Sequence, residues 1–330
     1  MERIGLSVVV PLYNETAGIG ATLDSIDRAV TAAERFDAEI VVVDDGSTDD
    51  GRAVVESHPS PVPLRVLAQA NRGRFEARRA GLEAATREYV LLLDAGVTLE
   101  SDALRFVAER LDEGEDVWNG HAVLTGEGLY VRFWQVIDHL AFGGYADDPR
   151  TTSFGVAEFD RFPKGTTCFF APRALLLDAV AAFRTAYADT RHANDDTPIL
   201  RTVAARRPIN ISPGFACVYR PRRALGPFVR HAFHRGTVFV DGHGRPESRF
   251  FPLVVAFFPV SAAAAVGVAR RPLLGPALLL GLAACAGAAA RRRPAADALS
   301  FAALAPVYAL AHGAGMWRGA ALAAGGRLRR

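Results

Sequence analysis

Lysine is almost missing from this chain: Lys164 is the only one, so arginine supplies nearly all of the positive charge. Cysteine is scarce as well. Cys168, Cys217 and Cys285 are odd in number and far apart, with no metal-ligand spacing. They give no basis for a disulfide framework or a cysteine-bound zinc, and a reducing setting is the default. His121, His139, His192 and His243 likewise show no ligand spacing. A formal net charge of +2 gives no global attraction for nucleic acid, although the basic residues cluster late in the chain. No charged-then-apolar leader precedes the first strand-like run at residues 6–10, so a cleaved signal peptide is not expected. Gly18 and Gly20 lie well past that strand and lack the third glycine of a dinucleotide-binding turn, which argues against a dehydrogenase.

What is present is ample apolar material. Half of the 330 residues are hydrophobic, enough for one large α/β core with about a hundred residues left for a second element. Residues 6–11, 40–45, 64–68 and 89–94 read as strands, and 18–35, 51–57 and 75–86 as helices between them. Short β-favouring runs separated by helical periods indicate a parallel sheet with crossover helices on both faces. Ligands of such sheets sit beyond the carboxyl ends of the strands. Three polar clusters fall there: Tyr13-Asn14-Glu15, Asp44-Asp45-Gly46-Ser47 and Asp94-Ala95-Gly96. Adjacent carboxylates at Asp44 and Asp45 repel unless something cationic or hydrogen-bonding is bound. Asn14 also suits a plain turn, and Ser47 and Asp49 suit helix caps.

Residues 100–215 are less regular, with aromatic and Gly/Pro-rich stretches fitted to the acceptor side of a cleft. A helix is expected over 173–187, ahead of the acidic turn Asn194-Asp195-Asp196. Those carboxylates have a plain reading as an N-cap pair before Thr197-Pro198. After Arg249 the composition changes. Uncharged stretches at 250–269, 272–290 and 298–317 are separated by Arg270-Arg271 and by Arg291-Arg292-Arg293, and each approaches the ~20 residues a membrane-spanning helix needs. Alanine dominates them, so a buried helical subdomain is the competing reading.

Taken in order, five stretches resemble family 2 glycosyltransferases of the GT-A fold. They are Val8–Glu15 with Val41–Asp49; Asn71-Arg72-Gly73-Arg74-Phe75-Glu76-Ala77-Arg78-Arg79-Ala80-Gly81, with Arg79 in place of an asparagine; Leu91–Gly96; and Asn194–Ile199. The resemblance implies a GT-A-type, mostly parallel Rossmann-like sheet with flanking helices, followed by C-terminal apolar, transmembrane helices. It implies that Pro11, Tyr13 and Glu15 border the nucleotide base and that Asp44 or Asp45 holds base or ribose. Asp94 would lie by the diphosphate and its metal, Mg²⁺ or Mn²⁺. Asp196 would be the catalytic base, with Asp195 capping or positioning it. Gly96 stands where the family's D-x-D motif has its second carboxylate. His231–Gly236 replaces a Q-x-x-R-W segment, and within it Arg235 would contact diphosphate or lie on a membrane-surface helix.

The implied organisation is a catalytic domain over 1–220, a basic interfacial segment over 221–249 and a membrane anchor of two or three helices over 250–330. The implied activity is inverting transfer from a nucleotide-sugar donor to a glycan or lipid-linked acceptor at a bacterial inner membrane, with the catalytic domain cytoplasmic. Transfer to a polyprenyl phosphate and a non-catalytic sugar-nucleotide-binding partner are the rivals. Arginines follow every apolar stretch, so charge asymmetry does not fix the number of spans.

Overall fold

The computed structural model describes residues 3–221 and 223–328. Residues 1 and 2 of the expected catalytic domain, Arg222 of the basic segment and residues 329–330 of the expected anchor lie outside the described residues. The chain runs through β1 (Ile4–Leu12), α1 (Thr16–Ala33), β2 (Phe36–Asp44), α2 (Gly51–Glu56), β3 (Leu64–Ala68), α3 (Arg74–Ala84) and β4 (Tyr89–Leu93). It continues through β5 (Val97–Leu99), α4 (Ala103–Asp112), β6 (Trp118–Leu124), α5 (Leu129–Ala146), β7 (Thr152–Phe154), β8 (Cys168–Pro172), α6 (Arg173–Ala181), α7 (Asp196–Ala204) and β9 (Ile209–Tyr219). Four helices follow: α8 (Leu225–His243), α9 (Phe251–Arg270), α10 (Leu274–Ala289) and α11 (Ala295–Leu328).

Two compact units form, and they are not divided by a single cut. The first takes Met1–Val123, Asp148–Arg184 and Asp195–Arg220; the second takes Leu124–Asp147, Thr185–Asn194 and Pro221–Arg330.

In the first unit the strands lie in the order β3-β2-β1-β4-β8-β6-β9-β5, with β7 on β9. The first four are parallel, with Val9 level with Val41 and Leu92. From β8 onward the described pairings are antiparallel, and Leu93 stands opposite Cys168. The α/β expectation holds, and the antiparallel half is what the alternation of motifs did not reveal. Valine and isoleucine fill both faces of the central strands because both are covered by helices. On one face Val8, Val10, Ile40 and Val42 pack with Ile19, Leu23 and Ile26 of α1 and Leu104 and Val107 of α4. The other face receives α3, where Gly81 lies so close that an added Cβ would stand 2.3 Å from Val9 Cγ1 and 3.3 Å from Val43 Cγ2.

Helix starts at the sheet edge are held from outside their own termini. Asp49 accepts the backbone N–H of Thr16 at 3.0 Å and of Gly51 at 3.1 Å, and so caps α1 and α2 together. The helix expected over 173–187 is shorter. It ends at Ala181, whose carbonyl accepts the Arg184 guanidinium at 3.0 Å, a side-chain stop for a helix C-terminus.

The second unit is helical. Phe133, Trp134, Phe228, Phe301 and Leu304 form its interior. Its outer surface is apolar: Leu273 is 86% and Leu280 72% exposed. Among the described residues two helices are long and apolar enough to cross a membrane, Phe251–Arg270 with mean hydropathy 2.1 and Ala295–Gly326 with 1.3. The span 272–290 is helical but short, 16 residues in α10.

Gly81→Ala tests how tightly α3 lies on the sheet. Helix propensity alone favours alanine by about 0.5–1 kcal/mol. Val9 is β-branched and rigid in its strand, so overpacking of about 1–3 kcal/mol is expected to outweigh that gain. The measured outcome is a thermal midpoint lowered by a few degrees; an unchanged or raised midpoint would show that α3 slides to accept the methyl group.

Candidate active site

The parallel strands β1, β2 and β4 deliver their carboxyl ends, and the residues that follow, to one edge. Tyr13 is exposed there, whereas Pro11 is buried in β1 beyond Val9, the last residue that pairs with β4. Asn14 takes a positive φ of 51°, accepts the Thr48 N–H at 2.8 Å and donates its own N–H to Ser47 Oγ at 3.2 Å. Asn14 thus ties the first turn to the second.

The two carboxylates at the end of β2 have different jobs. Asp44 accepts the Ser47 N–H at 2.9 Å within its own turn. Asp45 reaches forward, accepting Gln69 Nε2 at 2.7 Å and the backbone N–H groups of Arg72 and Gly73 at 2.8 Å each. It therefore fixes the loop that leads into α3.

That loop sets the register of Arg78, the centre of the site. Its side chain is 2% exposed and spreads over three carboxylates. Nη2 donates to Asp94 Oδ1 at 2.5 Å; Nη1 donates to Asp195 Oδ2 and lies 3.5 Å from Asp196 Oδ1. Asp94 follows the last residue of β4, and its other oxygen accepts Thr167 Oγ1 at 3.1 Å. Asp196, the first residue of α7, accepts the Thr166 hydroxyl and the Thr166 N–H, the latter at 3.3 Å. Thr166 and Thr167 stand at this edge because β8 runs antiparallel to β4.

The electrostatics separate the adjacent aspartates. Burial by itself raises the Asp196 carboxyl, but Arg78, Arg74 and the Thr166 hydrogen bonds together outweigh it and hold the group below the ordinary carboxylate range. Asp195 is pushed up, by burial first and by the neighbouring Asp196 next, against the pull of Arg78. Their exposure differs as well: the Asp195 side chain is 2% exposed and that of Asp196 35%. Of the two, Asp196 is the one whose side chain reaches solvent.

The Gly96 position is also explained. Its φ is +86°, and a Cβ there would stand 3.2 Å from Glu15 Oε1 and 3.3 Å from Glu15 Cδ. The Glu15 carboxylate thus occupies the space that a side chain at residue 96 would enter. Arg79, where the family motif has asparagine, pairs with Glu76 at 2.6 Å. Arg235 belongs to the second unit. Its guanidinium lies 5.0 Å from the Trp134 ring centroid, near Asp138, whose carboxyl burial pushes up to about 6 against the opposing charge of Arg235.

Glycosyl transferase family 2 matches residues 7–171, half of the 330-residue chain. The chain belongs to this family. Validoxylamine A glucosyltransferase of Streptomyces hygroscopicus subsp. jinggangensis (strain 5008) is 40% identical over 94 residues, 28% of this chain and 22% of that protein. The undecaprenyl-phosphate 4-deoxy-4-formamido-L-arabinose transferase of Klebsiella pneumoniae (strain 342) is 34% identical over 116 residues, 34% of this chain and 35% of that protein. The matches thus span about a fifth to a third of those relatives' lengths. Among solved structures, S. aureus TarS 1–349 in complex with UDP-GlcNAc aligns over 99% of this chain and 93% of that one, at 18% identity and a TM-score of 0.53. Mannosyltransferase PcManGT from Pyrobaculum calidifontis, in complex with GDP-Man and Mn²⁺, aligns over 96% and 88% at 22% identity and a TM-score of 0.58. At these identities the likeness establishes the GT-A fold of the family 2 chain.

Arg78, Thr166 and Thr167 were given no role by the sequence. A signal for Arg78 exists, since it sits at helical spacing with the buried Phe75, Gly81 and Leu82. The threonines carry none, being ordinary residues before a strand.

Replacing Arg78 by methionine leaves Asp195 buried without its cation, which typically costs about 3–5 kcal/mol. Asp196, whose folded carboxyl is depressed, gives stability that is present above its unfolded value near ~4 and lost as pH falls through the lower folded value. Without Arg78 the folded-state carboxyls of Asp196 and Asp195 rise, so the variant takes up protons where the wild type does not, and acid relieves part of its deficit. Denaturant titrations at pH 4.5 and 7 are expected to show a smaller deficit for the variant at the lower pH; an equal deficit at both would mean that Arg78 does not set the Asp196 titration.

Proposed function

We propose that the chain is an inverting glycosyltransferase moving a sugar from a nucleoside-diphosphate sugar to a hydroxyl acceptor at a membrane surface. The observation that carries this reading is the half-open Asp196 carboxylate, held ionised by Arg78 and oriented by Thr166 beside the buried Asp195. Attack on an anomeric carbon needs a carboxylate within hydrogen-bond reach of the acceptor hydroxyl. Asp196 takes that proton. Asp195 stays locked on Arg78 and positions its neighbour. Tyr13, Pro11 and Asp44 border the nucleotide, and Asp45 keeps the wall formed by the loop into α3 in place.

The residues at the edge suit a divalent cation. Asp94, Asp195 and Asp196 face Arg78, and Arg74 adds its charge near the last two, so the carboxylates still outnumber the cations, with Glu15 beside Gly96 a further one. An anionic diphosphate would be repelled by that surplus. Asp94 and Glu15 are the pair that would hold Mg²⁺ or Mn²⁺, with Glu15 taking over from the carboxylate absent at residue 96. Among the described residues no group of three or more acidic, His or Cys side chains is arranged to hold a metal ion, so phosphate oxygens and water would complete the coordination. The bound ion would neutralise charge on the departing diphosphate. Support comes from the structural neighbour in complex with GDP-Man and Mn²⁺.

The apolar, exposed helices α9 and α11 are read as a membrane anchor with the first unit on the cytoplasmic side, and the acceptor as a lipid-linked or envelope glycan. The Klebsiella relative favours a second reading, transfer to a polyprenyl phosphate, in which the acceptor is already an anion and needs no base.

Asp196→Asn decides between them. Loss of about 10²–10⁴ in turnover with donor affinity kept is expected for a hydroxyl acceptor, and near-wild-type turnover would point to the phosphate acceptor. Calorimetric titration of Mn²⁺ in the presence of a nucleoside diphosphate is expected to show Asp94→Asn and Glu15→Gln each weakening the metal by roughly tenfold or more. Unchanged metal affinity in Glu15→Gln would remove Glu15 from this role.

A further inference from the structure

The turn between α10 and α11 carries Arg291-Arg292-Arg293. With His139, Ala288 and Ala289, these arginines line an open cleft of about 520 Å³ within the second unit. Arg291 and Arg292 are exposed. Arg293 is partly held, 3.8 Å from Asp147, 4.0 Å from Asp297 and 3.4 Å from His139 Nδ1, while its Nε is buried without a hydrogen-bond partner among the described residues. Both carboxylates are shared. Asp297 also pairs with Arg132 at 3.3 Å and Asp147 with His139 at 2.6 Å. Three arginines line the cleft, and the two carboxylates beside Arg293 are already shared with Arg132 and His139, so positive charge remains in the cleft.

The helices that meet at this turn are apolar on the outside. Leu278 and Leu282 of α10 and Leu299 of α11 are exposed. In a bilayer, the end of an apolar helix followed by arginines lies where hydrocarbon gives way to headgroups, the level at which lipid phosphates sit. Guanidinium forks match phosphate oxygens in pairs. A small soluble anion would gain only the electrostatic part of this site in an open cleft, whereas a lipid adds burial of its chains along the flanking leucines.

We propose that the Arg291–Arg293 cleft binds a lipid-borne phosphate, with the guanidinium groups on the phosphate oxygens and the hydrocarbon against α10 and α11. This rests on the membrane reading above. The site lies within the second unit, where it serves to hold the headgroup phosphate of a membrane phospholipid.

The test uses the full chain in detergent, titrated by native mass spectrometry with phosphatidic acid, with phosphatidylcholine of the same chains and with inorganic phosphate. Phosphatidic acid is expected to bind at least roughly tenfold more tightly than phosphatidylcholine, and an Arg291→Gln/Arg292→Gln variant to lose on the order of thirtyfold. Equal affinity for the two lipids, or no loss in the variant, would overturn the proposal. Inorganic phosphate binding as tightly as the lipid would overturn it too, in favour of a soluble-anion site. A high-salt wash of membranes runs in parallel. Both proteins staying in the membrane while only the variant loses the lipid supports the proposal; release of the wild type by salt alone would overturn the membrane reading, and the proposal with it.

Discussion

The ion cluster around Arg78 is the constraint on which the rest of the first unit is built. One guanidinium, closed off from water, bonds Asp94 at the end of β4 and Asp195 at the start of α7, and approaches Asp196. These groups are separated by more than a hundred positions in the chain between residues 78 and 195. Desolvating such charges is costly, and buried ion clusters are often no more stabilising than an apolar replacement. What the cluster does provide is position: it makes the placement of α7 depend on the placement of α3. Asp45 extends the same dependence to the second strand by holding the loop before α3. A displacement of any of the three elements would leave a buried charge unpaired.

The parallel half of the sheet was legible because its signals are local. Valine-rich runs such as Val41-Val42-Val43, each followed by polar residues, mark strands buried on both faces and the edge at which they end. The antiparallel half was not, since β6, β8 and β9 come from an aromatic-rich stretch whose pairing partners lie far away in sequence. The site divides in the same way. Asp94, Asp195 and Asp196 stand out as acidic residues at element ends, and the structure gathers them on Arg78. Thr166 and Thr167 reach the site only through the reversed direction of β8, a tertiary fact with no local trace.

Glu15 and Gly96 show why reading a motif position by position misses part of the chemistry. In the linear sequence Gly96 is a missing carboxylate. In three dimensions the positive φ at residue 96 and the adjacent Glu15 side chain are complementary, since an aspartate at 96 would need both an unfavourable backbone and space that Glu15 already fills. A carboxylate is therefore still present at this point, delivered from the first strand's turn instead of the fourth's.

The second unit follows a different logic, in which side chains sort by solvent and not by chemistry. Its aromatic interior, Phe133 against Trp134, Phe228 and Phe301, is that of a compact helical bundle. Its exterior inverts the usual arrangement, with large apolar side chains outward on α9 to α11 and Arg270-Arg271 and Arg291-Arg292-Arg293 gathered at the helix ends and turns, besides Arg318 within α11. In water, that exterior would be an extended aggregation-prone patch; monomeric soluble proteins rarely expose one so large. Alanine-rich helices have only a weak drive into hydrocarbon. Packing of α10 and α8 against α11 gives these helices a single shared interior. An arginine at a turn between apolar helices keeps its guanidinium among polar groups, so the turns and the helix faces of this unit sort toward different surroundings.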